Sequence, residues 1–178
     1  PAFDALYRGA RREPLSATAT NAGSTGFHQR ANVLYISPAR ALSADQLNAI
    51  TAYHLPGLNA ATYDGDTPAQ ERRWVREHAN FVLTTPDMLN YGILGNHRQW
   101  ANFLRGLRYV VLDEVHSYRG VFGAHIANLL RRLRRVCTLY RVNPVFYGAS
   151  ATSANPAESF AKLIGVPEGN VDAITAST

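Results

Sequence analysis

Short apolar runs rich in β-branched and aromatic residues recur along the chain, and most are followed by a capping signal and a stretch of helical spacing. Residues 32–37 form the first such run and Pro38 stops it. Ser43, Ala44, Asp45 and Gln46 then match a capping box, with Ser43 as N-cap and Gln46 reaching back. Residues 61–63 form the second run, which leads through Asp64, Gly65 and Asp66 to a second box from Thr67 to Gln70, with Pro68 at the first helical position. Residues 81–84 are followed by Thr85 as cap, Pro86 and Asp87. Residues 109–112 make a fourth run, and residues 123–140 place Ile126, Leu129, Leu130, Leu133, Val136 and Cys137 on one helical face. Residues 145–147 make the fifth, and Asn155, Pro156 and Glu158 open the last helix. Five strand-then-helix units in a row predict an α/β fold of three layers, α/β/α, around a mainly parallel sheet.

The ends of the chain read differently. Phe3, Leu6, Tyr7 and Ala10 have helical spacing, whereas residues 15–26, built from small and polar residues, predict a mobile surface loop within about residues 14–30. Residues 166–178, rich in Gly, Pro, Ser and Thr, predict a linker after a domain spanning 1–165. The length, 178 residues, is that of one domain with one substantial core.

Composition narrows the class. No apolar run approaches the roughly 20 residues of a bilayer span, and the amino terminus has no basic segment followed by an apolar stretch, so a cytoplasmic protein without membrane contact is expected. The single cysteine, Cys137, excludes an internal disulfide and a cysteine-based zinc site, and reads as a small apolar helix residue. The formal charge is +5, and of 18 basic residues only Lys162 is lysine. A basic surface favours polyanions, which raises nucleic acid as a partner.

Asp113, Glu114, Val115 and His116 close the fourth strand. An acidic pair at the carboxyl end of a buried parallel strand faces the ligand crevice, where one carboxylate can hold Mg²⁺ through water and the next can activate an attacking water. The same pair also suits a solvated helix cap. His116 can donate from one ring nitrogen and accept at the other, which lets it bridge to Ser150, Ala151 and Thr152 after the fifth strand; those three also suit a polar turn that caps its own backbone. Pro38, Ala39 and Arg40, then Gly65, then Thr85, Pro86 and Asp87 each sit at a helix amino terminus, where free N–H groups suit DNA or RNA phosphates. Arginines 131, 132, 134 and 135 read as a solvated or acid-paired helix face, and Trp74 and Trp100 as packing residues rather than base-stacking ones.

Taken in order, residues 37–42, residues 63–67, residues 85–89, Asp113 to His116 with Tyr118, Arg119, Gly120, Val121, Phe122 and Gly123, and Ser150 to Thr152 resemble the superfamily 2 DExH helicases. More narrowly, they resemble the DNA repair helicases of the RecQ-like and Lhr-like branch. That resemblance implies a RecA-like domain in which residues 37–42 are motif Ia, Asp113 to His116 motif II and Ser150 to Thr152 motif III. It further implies ATP and Mg²⁺ as cofactors and single-stranded DNA as the track. Pro1 to Leu6 resembles the helix that follows the phosphate loop, so a domain truncated at its amino terminus is expected. No G-x-x-x-x-G-K-S/T motif occurs, and no second motor domain is recognised. The expectation is therefore an ATP-dependent DNA helicase whose present segment is inactive alone. A catalytically silent nucleic-acid-binding module and an RNA helicase domain stand as alternatives.

Overall fold

The structure is a computed structural model that describes residues 31–151 and 155–174. The candidate amino-terminal helix, the loop within 14–30 and Thr152 lie outside the described residues. Five parallel strands form one sheet in the order β2-β3-β1-β4-β5. They are β1 (Asn32–Ile36), β2 (Ala60–Tyr63), β3 (Phe81–Thr84), β4 (Leu107–Leu112) and β5 (Val145–Gly148). Between and after them run α1 (Arg40–Thr51), α2 (Ala69–His78), the short α3 (Pro86–Met88) leading into a π-helix (Leu89–Leu94), α4 (Ala101–Arg105), α5 (Gly120–Leu139) and α6 (Pro156–Ile164).

The strands are apolar on both sides because helices cover both faces. On one face Leu34, Ile36, Val82, Val110 and Leu112 pack under Trp100, Phe103, Leu130, Leu133 and Phe160. On the other, Tyr35, Phe81, Leu83 and Val111 meet Ile50 and Leu47 of α1. Trp100 is fully buried, edge-on to Tyr63 at 4.7 Å, with its indole N–H donated to the Gly92 carbonyl at 3.2 Å. Cys137 is buried on α5.

Two helix starts differ from the sequence expectation. Ser43 is buried inside α1, which begins at Arg40 with extended Ala39 as its N-cap, so the S-x-x-Q match is not a capping box. Residue 67 does not cap α2 either; Pro68 holds that position. Instead the Thr67 hydroxyl accepts from the Asp64 N–H, and the Asp64 carboxylate accepts from the N–H groups of Asp66 and Thr67, which closes the Gly65 turn. Thr85 and Asn155 do occupy the cap positions of α3 and α6, each followed by proline. Two arginines of α5 are tied to the fold rather than to acids, Arg132 donating to Asn90 and Arg134 to the carbonyls of Ile164 and Gly165, while Arg131 and Arg135 lie exposed as a solvated face predicts. No described helix is long and apolar enough to cross a membrane.

Candidate functional site

The strand ends β1, β3, β4 and β5 are stitched in line just beyond the sheet. Asp113 N–H donates to the Ile36 carbonyl at 2.9 Å, Val115 N–H to Ala149 at 2.9 Å, and Ser37 N–H to Thr84 at 3.0 Å. The acidic pair is therefore held from β1 on one side and from the loop after β5 on the other. Asp113 is buried, only 8% exposed, and both of its oxygens are engaged. One accepts the Tyr35 hydroxyl at 2.6 Å and the other the Glu114 N–H at 2.9 Å. Each carboxylate oxygen keeps a further lone pair, so the group remains able to hold a cation through water.

Glu114 adopts left-handed backbone geometry, φ 50 and ψ 45, a region that a residue with a side chain occupies at some cost. That turn starts the short helical segment Val115–Ser117 and points the Glu114 side chain, 39% exposed, outward beside the buried aspartate. The two acids thus have separate environments: one desolvated and oriented, one facing water. His116 Nδ1 lies 3.2 Å from the Glu114 carboxylate and 3.4 Å from the Ala151 N–H. One nitrogen cannot serve both at once: bare, it accepts from Ala151; protonated, it donates to Glu114. Among the described residues, the expected bridge from His116 to the loop after β5 therefore runs to the Ala151 amide rather than to the Ser150 hydroxyl. Ser150 turns its hydroxyl to the Ala151 carbonyl instead.

All seven residues assigned to nucleic acid come together. Pro38, Ala39, Arg40, Gly65, Thr85, Pro86 and Asp87 line one groove of about 390 Å³ on the same carboxyl edge, joined by Met88 and Phe122. The groove reaches the amino terminus of α1 through Pro38, Ala39 and Arg40, where the first-turn N–H groups have no intrahelical acceptor and no side chain caps them. Arg40 is less free than its sequence position implied, because its guanidinium donates to Asp66 at 2.6 Å in an exposed pair. Phe122, 45% exposed, stood in the sequence only as part of the resemblance after Asp113 to His116 and not as a groove residue, because helical spacing marks only the inward face of α5.

Among the described residues no cluster of three or more His, Cys, Asp or Glu side chains is arranged to hold a metal. The oriented Asp113 carboxylate, with no larger ligand cluster around it among the described residues, fits Mg²⁺, which keeps most of its waters and takes phosphate oxygens as its other ligands.

Burial, then the Asp113 hydrogen bond, pushes the Tyr35 phenol well above its ordinary value; burial, then the Asp113 charge, does the same to Tyr118. Cys137 is pushed up by burial from 9.0 to about 11. In the native state these groups keep protons that the unfolded chain sheds, so their contribution is complete below pH 9 and is lost as pH rises beyond 9 for the thiol and 10 for the phenols. Urea unfolding between pH 8 and 11 should show falling stability, with a shallower fall in Tyr118→Phe. An identical slope in that variant contradicts the assignment.

A five-stranded parallel sheet with an acidic pair at its carboxyl edge defines a RecA-like domain. The DEAD/DEAH box helicase model matches residues 15–160, and the chain belongs to that family. It is 46% identical over 142 residues to the "Uncharacterized ATP-dependent helicase YprA" of Bacillus subtilis, covering 78% of this chain and 19% of that protein. Among solved structures, the DUF1998 helicase MrfA bound to DNA and AMPPNP superposes with a TM-score of 0.74 at 42% identity, over 77% of this chain and 20% of that one. Mycobacterium smegmatis Lhr, bound to single-stranded DNA and AMP-PNP, gives a TM-score of 0.58 at 28% identity over 76% of this chain and 19% of that chain. The chain spans about a fifth of the length of these relatives.

Proposed function

We propose that this chain supplies the metal-holding and water-activating carboxylates, and the strand-gripping groove, of an ATP-dependent DNA helicase. The observation that carries the reading is that one sheet edge holds both the Asp113–Glu114 pair and a groove lined by three loop groups. Asp113, oriented by Tyr35, would hold Mg²⁺, which supplies charge neutralisation for a triphosphate when bound. Glu114 would take a proton from water, and His116, between Glu114 and Ala151, would link that event to the loop of Ser150, Ala151 and Thr152. The groove would take single-stranded DNA through backbone N–H groups, in keeping with MrfA solved on DNA and Lhr on single-stranded DNA.

The chain by itself has no phosphate loop, and its single lysine, Lys162, lies exposed on α6, paired with Glu158. The purified 178-residue chain is therefore expected to show no ATP turnover. Magnesium-dependent turnover that disappears in Glu114→Gln would contradict this.

Strand binding is tested by Gly65→Asp. A Cβ at Gly65 meets only the Arg40 guanidinium, at an ordinary 3.8 Å, so the variant is expected to fold while placing a second negative charge against the track. Fluorescence anisotropy with an oligothymidylate should show about tenfold weaker, still salt-dependent binding. Unchanged affinity removes the groove from the account.

A further inference from the structure

Phe122 is an aromatic ring with nearly half its surface in water, on the first turn of α5, where Val121 is exposed as well while Ile126, Leu129, Leu130 and Leu133 further along are buried. A single exposed aromatic is ordinary. Its location is not: among the described residues it is the sole aromatic lining the groove formed by the three loops after β1, β2 and β3. The local chain fixes it there. Tyr118, buried beside the acidic pair, sets its ring 5.7 Å from the Phe122 ring. A Cβ at Gly123 would stand 2.5 Å from the Tyr118 carbonyl oxygen, so glycine is needed for the start of α5 to lie against that carbonyl. With Gly123 and Tyr118 in these positions, Phe122 turns to the groove while Ile126 turns to the core.

We propose that Phe122 is a base-stacking contact for single-stranded nucleic acid, one that reads no sequence and positions a nucleotide in the groove. The inference rests on the strand-binding reading above and deepens it. Backbone N–H groups and Arg40 serve the phosphates, and a lone π-face among them serves a base, the combination by which sequence-tolerant strand binding is built. The groove carries Asp87 and has its cation partly satisfied by Asp66, so charge alone leaves it a weak phosphate site, and stacking supplies an attraction that salt does not screen. Tyr118, whose ring lies 5.7 Å from that of Phe122, is buried within the electrostatic reach of Asp113 and Glu114, so the stacking site lies on the same side of the domain as the acidic pair.

The test is anisotropy of the purified chain with an oligothymidylate 15-mer, together with the same oligonucleotide carrying one abasic site at each position in turn. Phe122→Ala is expected to bind about fivefold more weakly or worse, with an unchanged salt slope, and Phe122→Trp to bind at least as well as the wild type. One internal abasic position should weaken the wild type and make no difference in Phe122→Ala. Val121→Ala is the control, since Val121 is 78% exposed in the same turn but does not line the groove; its affinity should be that of the wild type. Thermal melting checks the fold, and Phe122→Leu, which keeps apolar volume without a ring, should lose as much affinity as the alanine variant. If Phe122→Ala binds like the wild type while Gly65→Asp does not, the strand groove stands and the stacking role falls. If both bind like the wild type, the groove is not the strand site and both readings fall.

Discussion

On the proposed function, Glu114→Gln in a helicase that carries this segment is expected to lower DNA-stimulated ATP turnover by about 10²–10⁴-fold. Glutamine keeps the size and the hydrogen-bonding shape of the side chain but cannot take a proton. The Glu114 side chain is 39% exposed and carries no core packing, so the loss should not come from misfolding. Asp113 keeps Tyr35 and the residue 114 N–H as partners in the variant, so nucleotide and magnesium affinity should change little. A phosphate-release assay at saturating single-stranded DNA separates the two: a large fall in kcat with a near-constant KM for ATP is predicted. Turnover within threefold of wild type would show that Glu114 does not activate the water.

Trp100→Ala is expected to cost about 3–5 kcal/mol of folding stability. Trp100 has no exposed surface, sits edge-on to both Tyr63 and Phe103, and donates to the Gly92 carbonyl at the π-helix. Its removal opens a cavity where α4 and the π-helix meet the sheet, and urea denaturation measures the loss directly. A base-stacking tryptophan would behave oppositely, with weakened DNA binding and intact stability; that result would contradict its place in the core.

Much of this architecture was legible in the chain, and for physical reasons. The central strands β1, β3 and β4 were readable because residues buried on both faces of a parallel sheet leave short apolar runs. The less buried edge strands β2 and β5 were readable because the turn and capping signals after them mark where each run stops. Thr85 and Asn155 were readable as helix starts because a capping residue followed by proline marks a helix boundary to within a residue, as Thr67–Pro68 also does, with the cap there falling on the proline itself. Ser43 and Thr67 misled because a four-residue box is a weak signal: the turn out of β1 puts the N-cap of α1 at Ala39, four residues before Ser43, and Pro68 rather than Thr67 caps α2. The π-helix of residues 89–94 was not legible, since its composition is that of any apolar α-helix and only packing around Gly92 and Trp100 sets its wider turn.

The site shows the same division. Its acidic pair could be found from order along the chain, because a strand followed by two acids places them at the sheet edge. That seven residues from three loops share one groove also follows from parallel topology, which sends every strand's carboxyl end the same way. Tyr35 and Phe122 were invisible in this role. Tyr35 reads as one more core residue of β1, and its hydroxyl reaches Asp113 only because β1 and β4 are neighbours. Phe122 precedes the helical periodicity that marks α5, and only the position of that helix's first turn aims it outward.

The central claim is that the carboxyl edge of the sheet is the face that meets the nucleic acid. Amide hydrogen exchange of the chain with and without single-stranded DNA tests it most directly. Protection is predicted at residues 38–42, 64–67, 85–88 and around Phe122, with the arginine-bearing face of α5 unchanged. Protection centred on residues 131–135, or none at the edge loops under saturating DNA, would contradict the account.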